Sequence, residues 1–307
     1  MTEWNAKGSG WISSTPVALG TIVLGMEEVR RTFELSQSDR AVDAWVAVRP
    51  PFEPKGWQLE FRDALRQAVR SMTVPAGTML VAEYVSDLRR TGVDAENVLL
   101  YNLGVGSAGG RAIRFSWSLV APPPAPTGER YPHLLRYRAL AYDLEPLGTP
   151  VATICAEVDT LASELKPLDV WLALKRGRLD VDRQGRLEAF ALRATVAMPR
   201  PRSAATLVKP VFDGAIAALQ HDPDAATSEI GARLLAERCG ADHAWLANAI
   251  RTPGPLGPVT PLVRQSPRGG LVWNPRDDDC LLGEIRVVAG STVTIRVEAF
   301  ALEDPVA

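Results

Sequence analysis

Three short stretches carry the residue types that handle phosphate and hard cations. The first, GVDAENVLLYNLG at 92–104, sets Asp94, Glu96 and Asn97 within one turn of chain. The second, PRSAATLVKPVFDG at 201–214, follows a basic turn holding Arg200 and Arg202 and puts Lys209 and Asp213 four apart on a helical pattern. The third, VWNPRDDDCLLGEIRVV at 272–288, runs Asp277, Asp278 and Asp279 together ahead of a branched, apolar segment. Carboxylates that converge can hold magnesium, which takes hard oxygen ligands. The ion then activates water and offsets the charge on a phosphate. Each stretch also has an ordinary reading. Asp94 or Asn97 can cap the next element, Lys209 and Asp213 can form an i,i+4 pair on a solvated face, and an aspartate run can sit in a surface turn.

The elements around these residues alternate between strand and helix. In the front part, AWVAVRP (44–50) reads as a strand, and WQLEFRDALRQAVRSM (57–72) spaces Leu59, Leu65, Ala68, Val69 and Met72 as a helix would. TMLVAEYV (78–85) has the branched and aromatic content of a buried strand. Farther on, 169–181 and 186–198 read as strands and 204–220 as a helix. A helical pair follows over 225–250, with Thr227 or Ser228 as the first cap and Gly240 as its close. EIRVVAGSTVTIRVEAF (284–300) alternates around AGST as a hairpin does. The proline-rich run APPPAPTGER (121–130) divides a front part, 1–120, from a longer back part, 131–307, that carries a helical insertion at about 222–270. The reading is α+β, with two similar halves of mixed sheet and helix.

Composition narrows the function classes. The chain has 307 residues, 46% of them hydrophobic, with a net charge of −2. No uninterrupted apolar run has membrane length, and MTEWNAKGSGW lacks the basic-then-apolar form of a signal peptide. Three widely spaced cysteines make no disulfide or metal pattern and fit a reducing cytoplasm. Three scattered histidines do not make a zinc site, and GVGSAGG (104–110) lacks the lysine and hydroxyl of a phosphate loop, so it reads as a plain loop. The near-neutral charge speaks against a protein bound to nucleic acid by charge alone. The tryptophans lie in apolar elements and read as core rather than as a stacking platform for bases, and the 225–250 pair lacks the basic and amide residues of a base-reading helix.

Taken together, the 92–104 and 201–214 corners resemble the RusA-type Holliday-junction resolvase family, whose hallmark is a strand, a basic turn, a helix with D-x-D-N-x-x-K-x-x-x-D, and a later acidic pair leading into a strand. Asp94, Glu96 and Asn97 match the first acid, second acid and asparagine, while Leu100 and Gly104 stand at the lysine and helix-aspartate positions. The back corner is the complement: Lys209 and Asp213 match, whereas Ser203, Ala205 and Thr206 replace the acids and asparagine. Asp278 and Asp279 match the later acidic pair, for which the front part, with GGRAIRFSWS, has no equivalent.

The resemblance implies a nucleic-acid-processing or nucleic-acid-binding protein, a Mg2+-dependent endonuclease acting on branched or duplex DNA. Its eroded or composite site would be held by Asp94, Glu96, Asp278 and Asp279, with Lys209 steadying charge. Arg89, Arg90, Arg200 and Arg202 would contact phosphates, and two halves in one chain would stand in for the family's homodimer. The alternative is a non-catalytic scaffold or protein-interaction module that keeps the fold.

Overall fold

A computed structural model describes residues 32–51, 53–88, 94–103, 110–141, 147–158, 165–182, 187, 189–267 and 270–302. The architecture is α+β. Ten strands build the main sheet: β1 (Phe33–Ser38), β2 (Ala41–Val46), β3 (Thr78–Val85), β4 (Ala112–Ser118), β5 (His133–Ala141), β6 (Ala152–Glu157), β7 (Arg178–Val181), β8 (Phe190–Met198), β11 (Cys280–Ala289) and β12 (Thr294–Ala301). They form one mixed sheet, with strands drawn from Phe33 to Ala301, in the order β1-β2-β5-β3-β4-β11-β8-β12-β6-β7. A separate ribbon pairs β9 (Val263–Gln265) with β10 (Leu271–Trp273).

At the centre, β4 and β11 lie antiparallel, with Ala112 opposite Arg286 and Ser116 opposite Leu282. Outward from β4 come β3, parallel to it, and then β5, β2 and β1, each antiparallel to the strand before. Outward from β11 come β8, parallel to it, and then β12, β6 and β7, again each antiparallel. The same series of strand directions therefore recurs on both sides of the central pair. Helices follow the same logic. The helix α1 (Trp57–Ser71) joins β2 to β3, and the short α2 (Ala95–Leu99) lies between β3 and β4. On the other side α3 (Pro167–Arg176) follows β6, and α4 (Val208–Leu219) follows β8.

Local chemistry explains most of these elements and corrects several expectations. The amphipathic pattern of α1 buries Phe61, Leu65, Ala68 and Val69, and leaves Leu59 39% exposed on the outer face. The segment 169–181, which reads as one strand, is a helix followed by the short β7. Pro167 occupies the first turn, where a missing N–H costs nothing, and the Asp169 carboxylate accepts the Lys166 N–H at 3.0 Å. Val170, Trp171 and Leu174 then share one buried face against α4. That packing needs Gly214, because a Cβ there would stand 2.6 Å from the Pro167 carbonyl oxygen and 2.7 Å from Val170 Cβ.

The expected hairpin over 284–300 does not form. β11 and β12 are strands of the lengths and alternation expected, but they flank β8 on opposite sides instead of pairing. The connection crosses the end of β8, where Gly290 donates its N–H to Met198 O at 3.1 Å, and a Cβ on Gly290 would come within 2.9 Å of Ala197 Cβ. The proline-rich run at 121–130 is likewise not a boundary. It connects β4 to β5, which pairs with β2 and β3 of the same sheet. It packs on the sheet as well: Trp45 Nε1 donates to Pro123 O at 2.9 Å, and Ala125 and Tyr131 bury with Trp45, Val85 and Leu134.

The insertion after α4 contains α5 (Ala225–Cys239) and α6 (His243–Arg251) ahead of the β9–β10 ribbon. Asp224, rather than Thr227 or Ser228, caps α5 by accepting the Thr227 N–H at 2.8 Å, and Gly240 closes it in the left-handed region at φ +68. One fully buried carboxylate ties the insertion together. Asp222 accepts from Asp224 N–H (3.0 Å), Thr227 Oγ1 (2.7 Å), Thr260 Oγ1 (3.0 Å) and Leu262 N–H (3.3 Å). Asp222→Ala leaves these donors without an acceptor, and an expected loss of about 3 kcal/mol follows. Urea unfolding reads it directly; a change under about 1 kcal/mol would mean the donors find water instead.

Candidate functional site: a carboxylate and lysine cluster at the central seam

The two chemically suggestive corners meet. Asp94 caps α2: its Oδ1 accepts the backbone N–H of Glu96 at 2.8 Å and of Asn97 at 3.4 Å, and its Oδ2 accepts from Asn97 Nδ2 at 2.5 Å. This cap starts α2 with the β-to-helix change of direction that lets the helix contact β3, β4 and β11. Glu96, in the first turn, is only 6% exposed and is aimed at α4. There Lys209 Nζ lies 3.9 Å from Glu96 Oε2 and 3.3 Å from Asp213 Oδ2, so residues 113 positions apart in the chain (209 minus 96) share one ammonium.

A third element completes the cluster. Asp277 opens a 3-10 turn, Asp277–Asp279, immediately ahead of β11, and its charge acts on both Asp94 and Glu96. The expected pair, Asp278 and Asp279, follows Asp277 in the same turn. Asp279 is ion-paired with the Arg276 guanidinium, and Asp278 acts on Asp277 from the same turn. Asp277 and Asp213 are the site residues missing from the ligand set expected from sequence. The pattern of the helix marks Asp213, which is one turn beyond Lys209, but nothing in a run of three aspartates distinguishes the first.

Four carboxylates facing one ammonium leave the cluster short of positive charge. Burial, then the charge of Asp277, raises the Asp94 pKa to about 7 against the pull of Lys209 and its own cap. Burial, then Asp94, raises Glu96 to about 8. Burial, then Asp213, raises Asp277 to about 6. Burial also moves Asp213 upward, with Lys209 opposing. For Lys209 burial acts downward, but Asp213, Glu96 and Asp94 together outweigh it and the ammonium is held more firmly than usual. Its side chain is 50% exposed, so the cluster opens to solvent on the lysine side. On the same short helix, Asn97 Oδ1 is buried and accepts no hydrogen bond among the described residues.

The floor of the seam is apolar. Phe115 of β4 and Phe212 of α4 meet edge to face with ring centroids 5.0 Å apart, above Gly283 of β11. Among the remaining predicted residues, Arg200 and Arg202 are exposed on the turn after β8, while Arg89, Arg90 and the 104–109 glycine loop lie outside the described residues. Ser203 and Thr206 bond to each other through Thr206 Oγ1 and Ser203 O at 2.8 Å, and supply no carboxylate. A second polar cluster, Tyr84 OH and Ser86 Oγ against His133 Nδ1 at 2.8 and 3.2 Å, has its serine fully buried and braces strands.

Among the described residues, no group of three or more His, Cys, Asp or Glu side chains is spaced to hold a metal ion. A closed carboxylate cage is therefore not present among them. Magnesium is usually held more loosely, by one or two carboxylates with waters and substrate phosphate completing the shell. Asp94 is occupied by its cap, and Asp213 holds Lys209 more closely than Glu96 does, so an ion held in that manner would draw on Glu96 and Asp277. No protein-family model, curated protein or solved structure matches the chain. No helix among the described residues is long and apolar enough to cross a membrane.

Proposed function

We propose that this chain is a nucleic-acid-processing protein of resolvase-like ancestry, a magnesium-dependent phosphodiester hydrolase whose site is built jointly by two halves of one duplicated chain. The observation that carries this reading is the meeting of complementary motif fragments. The front corner brings acids without a lysine, the back corner brings Lys209 and Asp213 without the acids, and Lys209 Nζ stands 3.9 Å from Glu96 Oε2. The recurring strand directions on either side of β4 and β11 support the duplication. A helix in the same place after β3 and after β8 supports it too.

In such a hydrolysis the oxygen of one water bonds to phosphorus, the bond from phosphorus to the leaving oxygen breaks, and the leaving oxygen gains a proton as the water loses one. A divalent ion at Glu96 and Asp277 would lower the pKa of that water and neutralise phosphate charge. Lys209, half exposed and held as an ammonium by three carboxylates, faces the side from which an anionic phosphate must arrive. Asp94 sets the start of α2 and hence the position of Glu96, and Asp213 orients Lys209.

The expected result is magnesium- or manganese-dependent cutting of branched or duplex DNA, reduced at least about 100-fold by Glu96→Gln or Asp277→Asn, the scale on which single electrostatic groups act in catalysis. Salt-sensitive DNA binding without cutting would favour the second reading, a non-catalytic interaction module. One observation speaks for that reading: both oxygens of Asp94 are engaged in capping α2, an ordinary structural duty.

A further inference from the structure

We infer that the chain holds a single working site, shared by its two halves, so that each encounter with a duplex breaks one strand; this rests on the hydrolase reading above. A duplicated chain invites the expectation of two sites, one behind each of the equivalent strands β3 and β8. The residues available do not allow it. Behind β3 stand Asp94 and Glu96, with Leu100 where an ammonium would be needed. Behind β8 stand Lys209 and Asp213, preceded by Ser203, Ala204, Ala205 and Thr206, none of which carries a carboxylate. Asp277 leads into β11, whereas the stretch leading into β4, GVGSAGGR at 104–111, contains no acid.

Geometry agrees with this inventory. The one ammonium of the set is already divided between the halves, 3.9 Å from Glu96 and 3.3 Å from Asp213. Glu96 is 6% exposed and, among the described residues, has Lys209 as its ion-pair partner and no hydrogen-bond donor. Asn97 Oδ1, without a hydrogen-bond donor among the described residues, lies on the same short helix. At the same seam Phe115 and Phe212 meet edge to face with ring centroids 5.0 Å apart, an apolar contact between the halves.

Two measurements on the full chain test this. In a titration with manganese alone, the isotherm is expected to fit one ion per chain. Glu96→Gln from the front half and Asp277→Asn from the back half should each weaken all of the binding by at least tenfold. With supercoiled circular DNA and magnesium, open circles should accumulate first, with linear molecules arising only from open circles. Unfolding curves matched to the parent keep a misfolded variant from imitating the result. If either variant retains half of the manganese sites, or linear and open-circular products rise together from the start, two independent sites exist and the inference is wrong while the hydrolase reading stands. One manganese per chain without any cutting leaves the shared site standing and overturns the hydrolase reading. No manganese binding and no cutting overturns both.

Discussion

Replacing Gly283 with valine is expected to cost the fold about 3 kcal/mol or more. Gly283 lies on β11 at the centre of the sheet, opposite Phe115 of β4. A Cβ there would stand 2.5 Å from Phe115 Cε1 and 2.6 Å from Phe212 Cε1, far inside contact distance. Neither ring can swing out, since Phe115 is 1% and Phe212 3% exposed within the main core. Overpacking of this kind costs about 3 kcal/mol or more, against a total stability on the order of 5–15 kcal/mol for a folded domain. The measurement is urea unfolding, with Gly110→Ala as the comparison, because a Cβ at Gly110 would meet nothing nearer than 3.6 Å. Gly283→Ala combined with Phe115→Leu should recover at least half of what Gly283→Ala loses, since the smaller side chain vacates the colliding ring. A fully stable Gly283→Val protein would mean that the two halves do not close on each other at this seam. The consequence reaches the site, because the same seam brings α2 and α4 together.

What the sequence discloses and what it hides can be read from the same residues. Period-two and period-3.6 patterns mark β8 and α1 well, because each buries one clear face, whereas α4 is legible by its apolar content, being buried all round from Gly214 to Leu219. The segment 169–181 misleads because Val170, Trp171, Leu172 and Leu174 make a short apolar run that suits either a strand or a buried helix; Pro167 and the Asp169 cap decide it. The pair β11 and β12 misleads differently. Each strand is legible, but whether two neighbouring strands pair or enclose a third depends on β8, more than eighty residues earlier. The proline-rich run reads as a connector by composition, while its packing depends on Trp45 and Tyr131, whose positions only the fold supplies.

The site shows the same division. Asp94, Glu96 and Lys209 are visible as residue types in suggestive spacing, and the structure brings them together. In the 3-10 turn over 277–279, Arg276 takes Asp279, and the charge of Asp277 acts on Asp94 and Glu96. Local sequence carries no trace of that choice, because it depends on the direction in which the chain meets β11.

The charge imbalance in the cluster has a thermodynamic consequence that should dominate the pH dependence of stability. In the unfolded chain a glutamate titrates near its ordinary 4.5, whereas burial and Asp94 hold folded Glu96 at about 8. Asp94, at about 7, and Asp277, at about 6, move in the same direction from 3.8. Between those limits the folded state binds more protons than the unfolded state, so stability must fall as pH rises. Each tenfold difference in proton affinity between the two states is worth about 1.4 kcal/mol, and the shifts stand although Lys209 pulls all three groups downward. In the presence of a chelator, the protein is therefore expected to lose several kcal/mol of stability between pH 5 and pH 8.5. Glu96→Gln keeps the shape and removes the charge. It should flatten this slope and raise the unfolding temperature at pH 8.5 by about 4–6 °C, while changing little at pH 5. Lys209→Met removes the one ammonium and should steepen the slope. Magnesium or manganese, bound by the folded state alone, should restore stability at high pH in the parent and fail to do so in Glu96→Gln. A chelated protein equally stable from pH 5 to pH 8.5 would mean that the four carboxylates do not share a buried field, and the cluster would then be four surface acids near one lysine.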